Sequence, residues 1–369
     1  MNKILHFIIA SILSLTFICC SNHVNSYYHS KLELQYKLVK IDSLIFENTP
    51  SLYLGAIGKV YPWKKFILIQ DMVKCNIAVF NFKLEYLFSV GKKGRGPGEY
   101  TIPPFIVQSN DTGEIFLLDV PAKKIDKYDN NFKLISEYSL PDNFYYSPFS
   151  SLKTKNTFIF SAIFPFPINN DEYFKKYKAL ISVNGNYKYQ KNFLSWDEIY
   201  LNSKYDAYTR NNISVNLCTG RSDEFYAQQK SSFIIHIFNK NLKLVKSFGI
   251  LPKYFIKPPT DISASQTQIN LESFFNFESK TTAFRNIYYD IKESRVYIGY
   301  LKHSKRAFYD KNAMENLFYL QVYGKNYNCI YDNRIPGKFL FARDGKIYIL
   351  NAENEKYFKI NVYKLIINK

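Results

Sequence analysis

Short apolar stretches alternate with polar turns along this chain, and one arrangement of the two recurs. An apolar strand ends in an aromatic residue or Val, a tight turn rich in Asn, Asp or Gly follows, and a second strand opens on an apolar residue and usually Lys. The copies are Phe80-Asn81-Phe82-Lys83-Leu84, Tyr128-Asp129-Asn130-Asn131-Phe132-Lys133-Leu134 and Val183-Asn184-Gly185-Asn186-Tyr187-Lys188-Tyr189. Phe238-Asn239-Lys240-Asn241-Leu242-Lys243-Leu244 and Tyr323-Gly324-Lys325-Asn326-Tyr327-Asn328-Cys329 complete the series. Asn, Asp and Gly tolerate the positive φ of a tight turn, so each copy predicts a β-hairpin with that φ on these residues.

Upstream of each hairpin lies another apolar strand: Phe66–Ile69, Ile115–Leu118, Phe158–Phe160, Glu224–Ala227, Val296–Gly299 and, in a unit without its own hairpin copy, Ile347–Leu350. Their starts lie roughly 45 to 70 residues apart, the spacing of four-stranded propeller blades with variable loops. Runs such as Phe66-Ile67-Leu68-Ile69 are apolar on both faces, as strands sandwiched between neighbouring blades must be. The sixth unit stops at Val362–Ile367 with no room for its outer strand, while Leu32–Ile45 is strand-like and has no blade of its own. The expected fold is therefore all-β: a six-bladed β-propeller of four-stranded antiparallel blades, its ring closed by the N-terminal strand so that no edge is left unpaired. Long connections at about 195–215, 252–285 and 303–317 fall where propeller loops usually meet partners.

Composition agrees with a large β core. Of 369 residues, 47% are hydrophobic and 18% aromatic, with 32 Tyr and 32 Phe, types that suit half-buried pleated surfaces. With a mean hydropathy of −0.24 the chain can bury a large core, and its composition is not that of a disordered chain. Net charge is +18, from 49 Lys and Arg against 31 Asp and Glu. It fits attraction to an anionic partner, but the basic residues are scattered and form no arm, and the accompanying Asn, Ile, Tyr and Phe fit a codon bias equally well. No nucleic-acid-binding module is visible.

Residues 1–20 begin with Lys3, continue through an apolar stretch from Ile4 to Ile18, and close on Cys19-Cys20-Ser21. That stretch is short for a membrane span and resembles a bacterial lipoprotein signal, which implies lipidation of Cys20 after cleavage. Phe17, where Leu is usual, departs from the pattern, and an ordinary secretory peptide is the alternative. Ser21 in place of Asp favours, by the same resemblance, the outer membrane. The expected organisation is a signal at 1–20, a tether at 21–31 and the propeller at 32–369. Cys75, Cys218 and Cys329 are widely spaced, which leaves one disulfide or three buried thiols open.

The most distinctive local segment is Gly91-Lys92-Lys93-Gly94-Arg95-Gly96-Pro97-Gly98-Glu99-Tyr100, followed by Pro103-Pro104. It resembles the G-x-x-G-x-G-P-G-E-[FY] segment of the six-bladed β-propeller lipoproteins of Gram-negative bacteria, relatives of TolB-like and NHL-like propellers. The resemblance spans nearly the whole chain and implies a fold far more than an activity. Two readings fit the loop. Gly91, Gly94, Gly96 and Gly98 beside Arg95 could cradle an anion through backbone N–H groups, or Gly91 to Glu99 could simply turn the chain sharply between blades. Asp71, Asp119 and Asn351 follow second strands, where such residues in NHL-like repeats bond to the turn backbone.

Chemistry is thinly represented. His236 alternates within a strand, His303 sits in a Lys-rich loop expected to be solvated, and no Gly-x-Ser-x-Gly elbow or Asp-box series occurs. No catalytic set, metal site or cofactor is expected. The expectation is a monomeric, non-catalytic binding or scaffold module for a glycan, peptide or protein, which touches membrane only through its lipid and presents aromatics such as Phe164, Phe166, Trp196 and Tyr200 to that partner. A propeller lyase or glycoside hydrolase with a site on the axial channel is the alternative.

Overall fold

The computed structural model describes residues 27–50, 52–109, 113–141, 146–154, 157–162, 173–260, 262, 271–304, 314 and 316–368. Cys20, Phe164 and Phe166 lie outside these residues. Six groups of four strands follow one another around an axis. Blade 1 holds Ile57–Trp63, Phe66–Asp71, Asn76–Asn81 and Tyr86–Val90. Blade 2 holds Phe105–Ser109, Ile115–Asp119, Lys124–Tyr128 and Leu134–Ser139. Blade 3 holds Tyr146–Thr154, Thr157–Ala162, Leu180–Asn184 and Tyr189–Phe193. Blade 4 holds Val215–Thr219, Phe225–Gln229, Ile235–Phe238 and Leu244–Gly249. Blade 5 holds Thr282–Asp290, Arg295–Lys302, Leu317–Tyr323 and Cys329–Ile335. Within every blade the neighbours are antiparallel. The innermost strands touch in the order 1-2-3-4-5-6-1, and those of blades 2 and 3 also pair in parallel at Leu152↔Gln108 and Lys153↔Ser109.

Blade 6 is built from both chain ends. Lys338–Arg343, Lys346–Glu353 and Tyr357–Ile367 supply three strands, and Tyr36–Glu47 supplies the fourth, antiparallel to Tyr357–Ile367 along its whole length. The closing strand starts four residues later than the apolar pattern suggests. Residues ahead of it, expected as free tether, lie on other blades. Tyr27–His29 pairs in parallel with Ser247–Gly249 at the outer edge of blade 4, and Leu32 bridges Cys329 at the outer edge of blade 5. The N-terminal segment thus laces three consecutive blades, each contact satisfying backbone groups on an otherwise open edge.

The core is divided among the seams. Ile67 and Ile69 join Phe341, Leu350 and Ile360 between blades 6 and 1, whereas Leu68 joins Ile106, Ile115 and Leu117 between blades 1 and 2. The same division holds at the other four seams, which explains strands without a polar face. Cys75, Cys218 and Cys329 are buried free thiols.

The hairpins form where expected, but their geometry differs in one respect. The positive φ falls on the apolar residue, at Leu84, Phe132, Tyr187, Leu242 and Tyr327, with values of 58–62°. The polar residue instead supplies an acceptor. Asn239 Oδ1 takes the N–H groups of Asn241 (3.0 Å) and Lys243 (3.1 Å), and Asn81, Asp129 and Asn184 do the same in their turns. Packing of the apolar side chain at the seam with the preceding blade and the paired amides offset the cost of the left-handed backbone, about 1–2 kcal/mol. Asp71 takes turn amides as expected, at Val73 (2.9 Å) and Lys74 (3.0 Å), and Asp119 takes that of Ala122 (3.3 Å) together with Thr101 N (2.7 Å) from the connection leading into blade 2. Asn351 donates to the Pro336 carbonyl at 2.9 Å.

Two faces result. The hairpin face carries the turns between first and second and between third and fourth strands. Among the described residues, the loop face carries the other connections, including the glycine-rich segment 91–100 and residues 194–214, 250–260 and 271–281.

Candidate functional site

A cavity of about 570 Å³ opens along the axis toward the loop face. Lys59, Asn216, Arg285 and Lys338 reach it from the innermost strands of blades 1, 4, 5 and 6. Lys230 and His303 reach it from the segments after the second strands of blades 4 and 5. Ile287, Tyr288, Phe339 and Leu340 form an apolar part of the wall. Lys59, Lys230, Arg285 and Lys338 each stand apart from the others in sequence, so no local run of charge marks them as a group; ring closure brings them together.

The electrostatics of this group are set by burial. Lys59 is pushed down to about 8 by desolvation, and Lys230 to about 8 by desolvation and then by Arg285 nearby. Desolvation also lowers Lys338, with Glu353 acting in opposition, and lowers Arg285, with Glu278 acting in opposition. Packing water-poor space with like charges costs free energy that folding alone does not repay. Among the described residues, several buried polar atoms have no hydrogen-bond partner, including Arg285 Nε, Asn216 Nδ2 and Ser214 Oγ.

At the mouth, His303 is folded inward rather than solvated, its side chain 12% exposed. Its Nε2 lies 2.7 Å from Arg285 Nη2 and 3.0 Å from Glu278 Oε2, a residue ending the helix Leu271–Glu278 between blades 4 and 5. One nitrogen cannot both accept from the guanidinium and donate to the carboxylate, so the tautomer of the His303 ring decides which contact is a hydrogen bond. Among the described residues, no group of three or more His, Cys, Asp or Glu is placed to hold a metal ion.

The glycine-rich loop is occupied by its own glutamate. Glu99 Oε2 accepts from the N–H groups of Gly96 (2.8 Å) and Arg95 (3.0 Å), and Oε1 pairs with Lys92 Nζ at 3.1 Å. The Gly96 amide and then Lys92 hold this carboxyl below the usual range. Gly91 has φ +83°, and a Cβ there would meet the buried Tyr100 ring at 2.4 Å, while Gly98 has φ +69°. The geometry is that of a turn in which Gly94, Arg95 and Gly96 wrap Glu99. The aromatics expected to meet a partner are core residues where described. Trp196 and Tyr200 are each 3% exposed, packed with Phe174 and Phe193 at the seam of blades 3 and 4. The Tyr200 hydroxyl donates to the Asn212 carbonyl at 2.9 Å and accepts from Ser231 N at 2.9 Å. His236 is satisfied by Ser247 Oγ (2.9 Å) on the neighbouring strand and by Asp197 Oδ1 (3.0 Å) from the connection between blades 3 and 4.

A family model described as DUF5128, 6-bladed beta-propeller, matches residues 23–337. The fold is similar to that of a DUF4221-family protein from Bacteroides vulgatus, with a TM-score of 0.67, 11% identity, 91% of this chain and 100% of that chain covered. It is also similar to a protein described as exported from Bacteroides fragilis, with a TM-score of 0.62, 15% identity, and coverage of 93% and 99%. A comparison with the curated proteins finds no match. Among the described residues, no helix is long and apolar enough to cross a membrane.

Proposed function

The chain belongs to the DUF5128 family of six-bladed β-propellers, and from that premise we propose a non-catalytic binding module of the cell envelope. The observation that carries this reading is the axial cavity. It gathers Lys59, Lys230, Arg285 and Lys338 under the loop face, with unpartnered donors at Arg285 Nε and Asn216 Nδ2. Buried donors without partners are costly in a finished core and useful in a receptor, where a ligand supplies the acceptors. The partner is a glycan, peptide or protein of the envelope, part of which enters the cavity. The lipid on Cys20 holds the module at the outer membrane; support comes from the signal-like residues 1–20 and, more loosely, from the exported relative.

The test is capture of envelope components by the purified chain, run beside a glycan array, with Lys338→Met as the control for cavity-dependent binding. Absence of any partner that this variant loses would overturn the reading. Membrane fractionation of Cys20→Ala tests the anchor, and a variant that still sediments with membranes removes it.

One contact favours an enzyme as a second reading. His303 beside Glu278 is an acid–base pair at the mouth of a ligand-sized cavity. Turnover of a glycan by the wild type and none by His303→Ala would establish that reading in place of the first.

A further inference from the structure

We propose that a groove on the hairpin face, at the seam where blade 6 meets blade 1, binds an acidic oligosaccharide. This site is separate from the axial cavity and does not depend on it.

The closure that completes the ring also builds the groove. The closing strand brings Ile41, Asp42 and Leu44 beside Val362 and Lys364 of the strand it pairs with. The turn between the first two strands of blade 6 brings Arg343, Asp344 and Lys346. The two hairpins of blade 1 complete the wall with Lys65 and Phe82. The volume of about 760 Å³ lies within the roughly 300–1,000 Å³ of small-molecule sites.

Three kinds of surface meet there, and each answers a part of a sugar that carries carboxylate or sulfate. The first is cationic. Lys65, Lys346 and Lys364 are exposed, and among the described residues no carboxylate pairs with any of them. A concave surface bearing such charges focuses its field and draws anions. Arg343 adds a planar fork of donors suited to a carboxylate or sulfate.

The second surface is apolar. Half-buried Phe82 meets Tyr348 at 6.0 Å and Phe341 at 6.5 Å, with the Arg343 guanidinium 5.1 Å from its ring centre. With Leu44 and Val362 it makes a floor for the C–H side of a sugar ring.

The third is acidic. Asp42 Oδ1 accepts from Ser43 N at 2.7 Å, and Asp344 lies 3.4 Å from Arg343 Nε. A carboxylate has about four acceptor sites, so each keeps capacity for a hydroxyl donor. A peptide rich in Asp and Glu would meet Asp42 and Asp344 as like charges and bring no hydroxyl. The combination of the three favours a polyhydroxylated anion.

The experiment titrates the full-length chain in mild detergent, calorimetrically and at pH 7 and equal ionic strength. The probes are trigalacturonate, a sulfated carrageenan tetrasaccharide, neutral galactotriose and triglutamate. One or both acidic sugars should bind at a single site, and which of them binds tells carboxylate from sulfate. Galactotriose and triglutamate should bind at least about tenfold more weakly. Lys346→Gln combined with Lys364→Gln should weaken sugar binding about tenfold or more. Lys240→Gln makes a like change of charge on the hairpin face of blade 4 and should leave it unaltered. Asp42→Ala should also weaken it, whereas the loss of a like charge would strengthen the binding of a plain anion. Unchanged unfolding temperatures in these exposed variants show that the fold is kept. Lys338→Met, in the axial cavity, should bind as the wild type does, and a loss there would move the ligand to the cavity. The proposal is overturned if neither acidic sugar gives heat, or if Lys240→Gln loses as much as the groove variants. Triglutamate bound as tightly as the sugars, or tighter binding in Asp42→Ala, would overturn it too, in favour of an acidic peptide.

Discussion

Glu99 Oε2 accepts a hydrogen bond from Gly96 N at 2.8 Å, so the one backbone cradle that the glycine-rich loop offers is closed by a side chain three residues away. A free anion would have to displace a carboxylate that Lys92 also holds. In Glu99→Gln the loop should lose local order and the cradle should gain affinity for sulfate, read by amide hydrogen exchange across 91–100 with and without the ion. The wild-type pH dependence follows from the lowered Glu99 value. Its contribution to stability is whole above the ordinary carboxylate range and is lost as pH falls through the depressed value. Glu99→Gln should remove that acid-side slope.

The cavity lysines make the opposite kind of prediction. A lysine held at about 8 in the folded chain and near 10.4 when unfolded carries a penalty that is fully present below about 8 and vanishes above about 10.5. Lys59→Met should therefore stabilise the fold at pH 7, by about 1–3 kcal/mol. The gain should fade by pH 10.5, followed by urea unfolding at both pH values.

The hairpins separate two roles that the sequence pattern blends. Asn239→Ala removes the acceptor for two turn amides and should cost about 1–2 kcal/mol. Leu242→Gly relieves the left-handed backbone yet strips a nearly buried side chain from the seam of blades 3 and 4. A net loss of about 1–3 kcal/mol is expected. Thermal melts of the two variants check the order of effects.

Truncation grades the N-terminal contacts. A chain beginning at residue 36 keeps Tyr36–Glu47 and loses the parallel pairs at blade 4, the bridge and its flanking hydrogen bonds at blade 5, and the bond from Asn368 N to the Gln35 carbonyl. It should remain monomeric, with a modest fall in melting temperature. A chain beginning at residue 48 leaves Tyr357–Ile367 as an eleven-residue open edge and should aggregate, seen by size-exclusion chromatography.

The ring was readable because its determinants are local and repeated. Asn81 or Asn239 with its following apolar residue marks a turn wherever it stands, and the unmatched Tyr36–Glu47 segment and incomplete last unit point to each other. The exchange of roles within the turn was not readable, because positive φ on Leu84 or Leu242 is permitted only by the neighbouring blade that buries them. Trp196 and Tyr200 look like loop aromatics for a similar reason: the connection carrying them folds back over Phe174 and Phe193. The cavity escaped altogether. Lys59, Lys230, Arg285 and Lys338 are separated by tens of residues and have no shared pattern, and His303 in a lysine-rich stretch reads as surface. Only closure of the ring makes neighbours of them.

The lacing of residues 27–47 over three blades also fixes how the molecule answers tension. A pull on the N-terminus loads Tyr27–His29 first, three residue pairs at the rim of blade 4 that can peel one after another. The bridge at Leu32 comes next, and the long antiparallel register of Tyr36–Glu47 bears strain only after both have yielded. Weak, reversible contacts therefore act as a mechanical fuse, lengthening the leash under force while the ring stays shut.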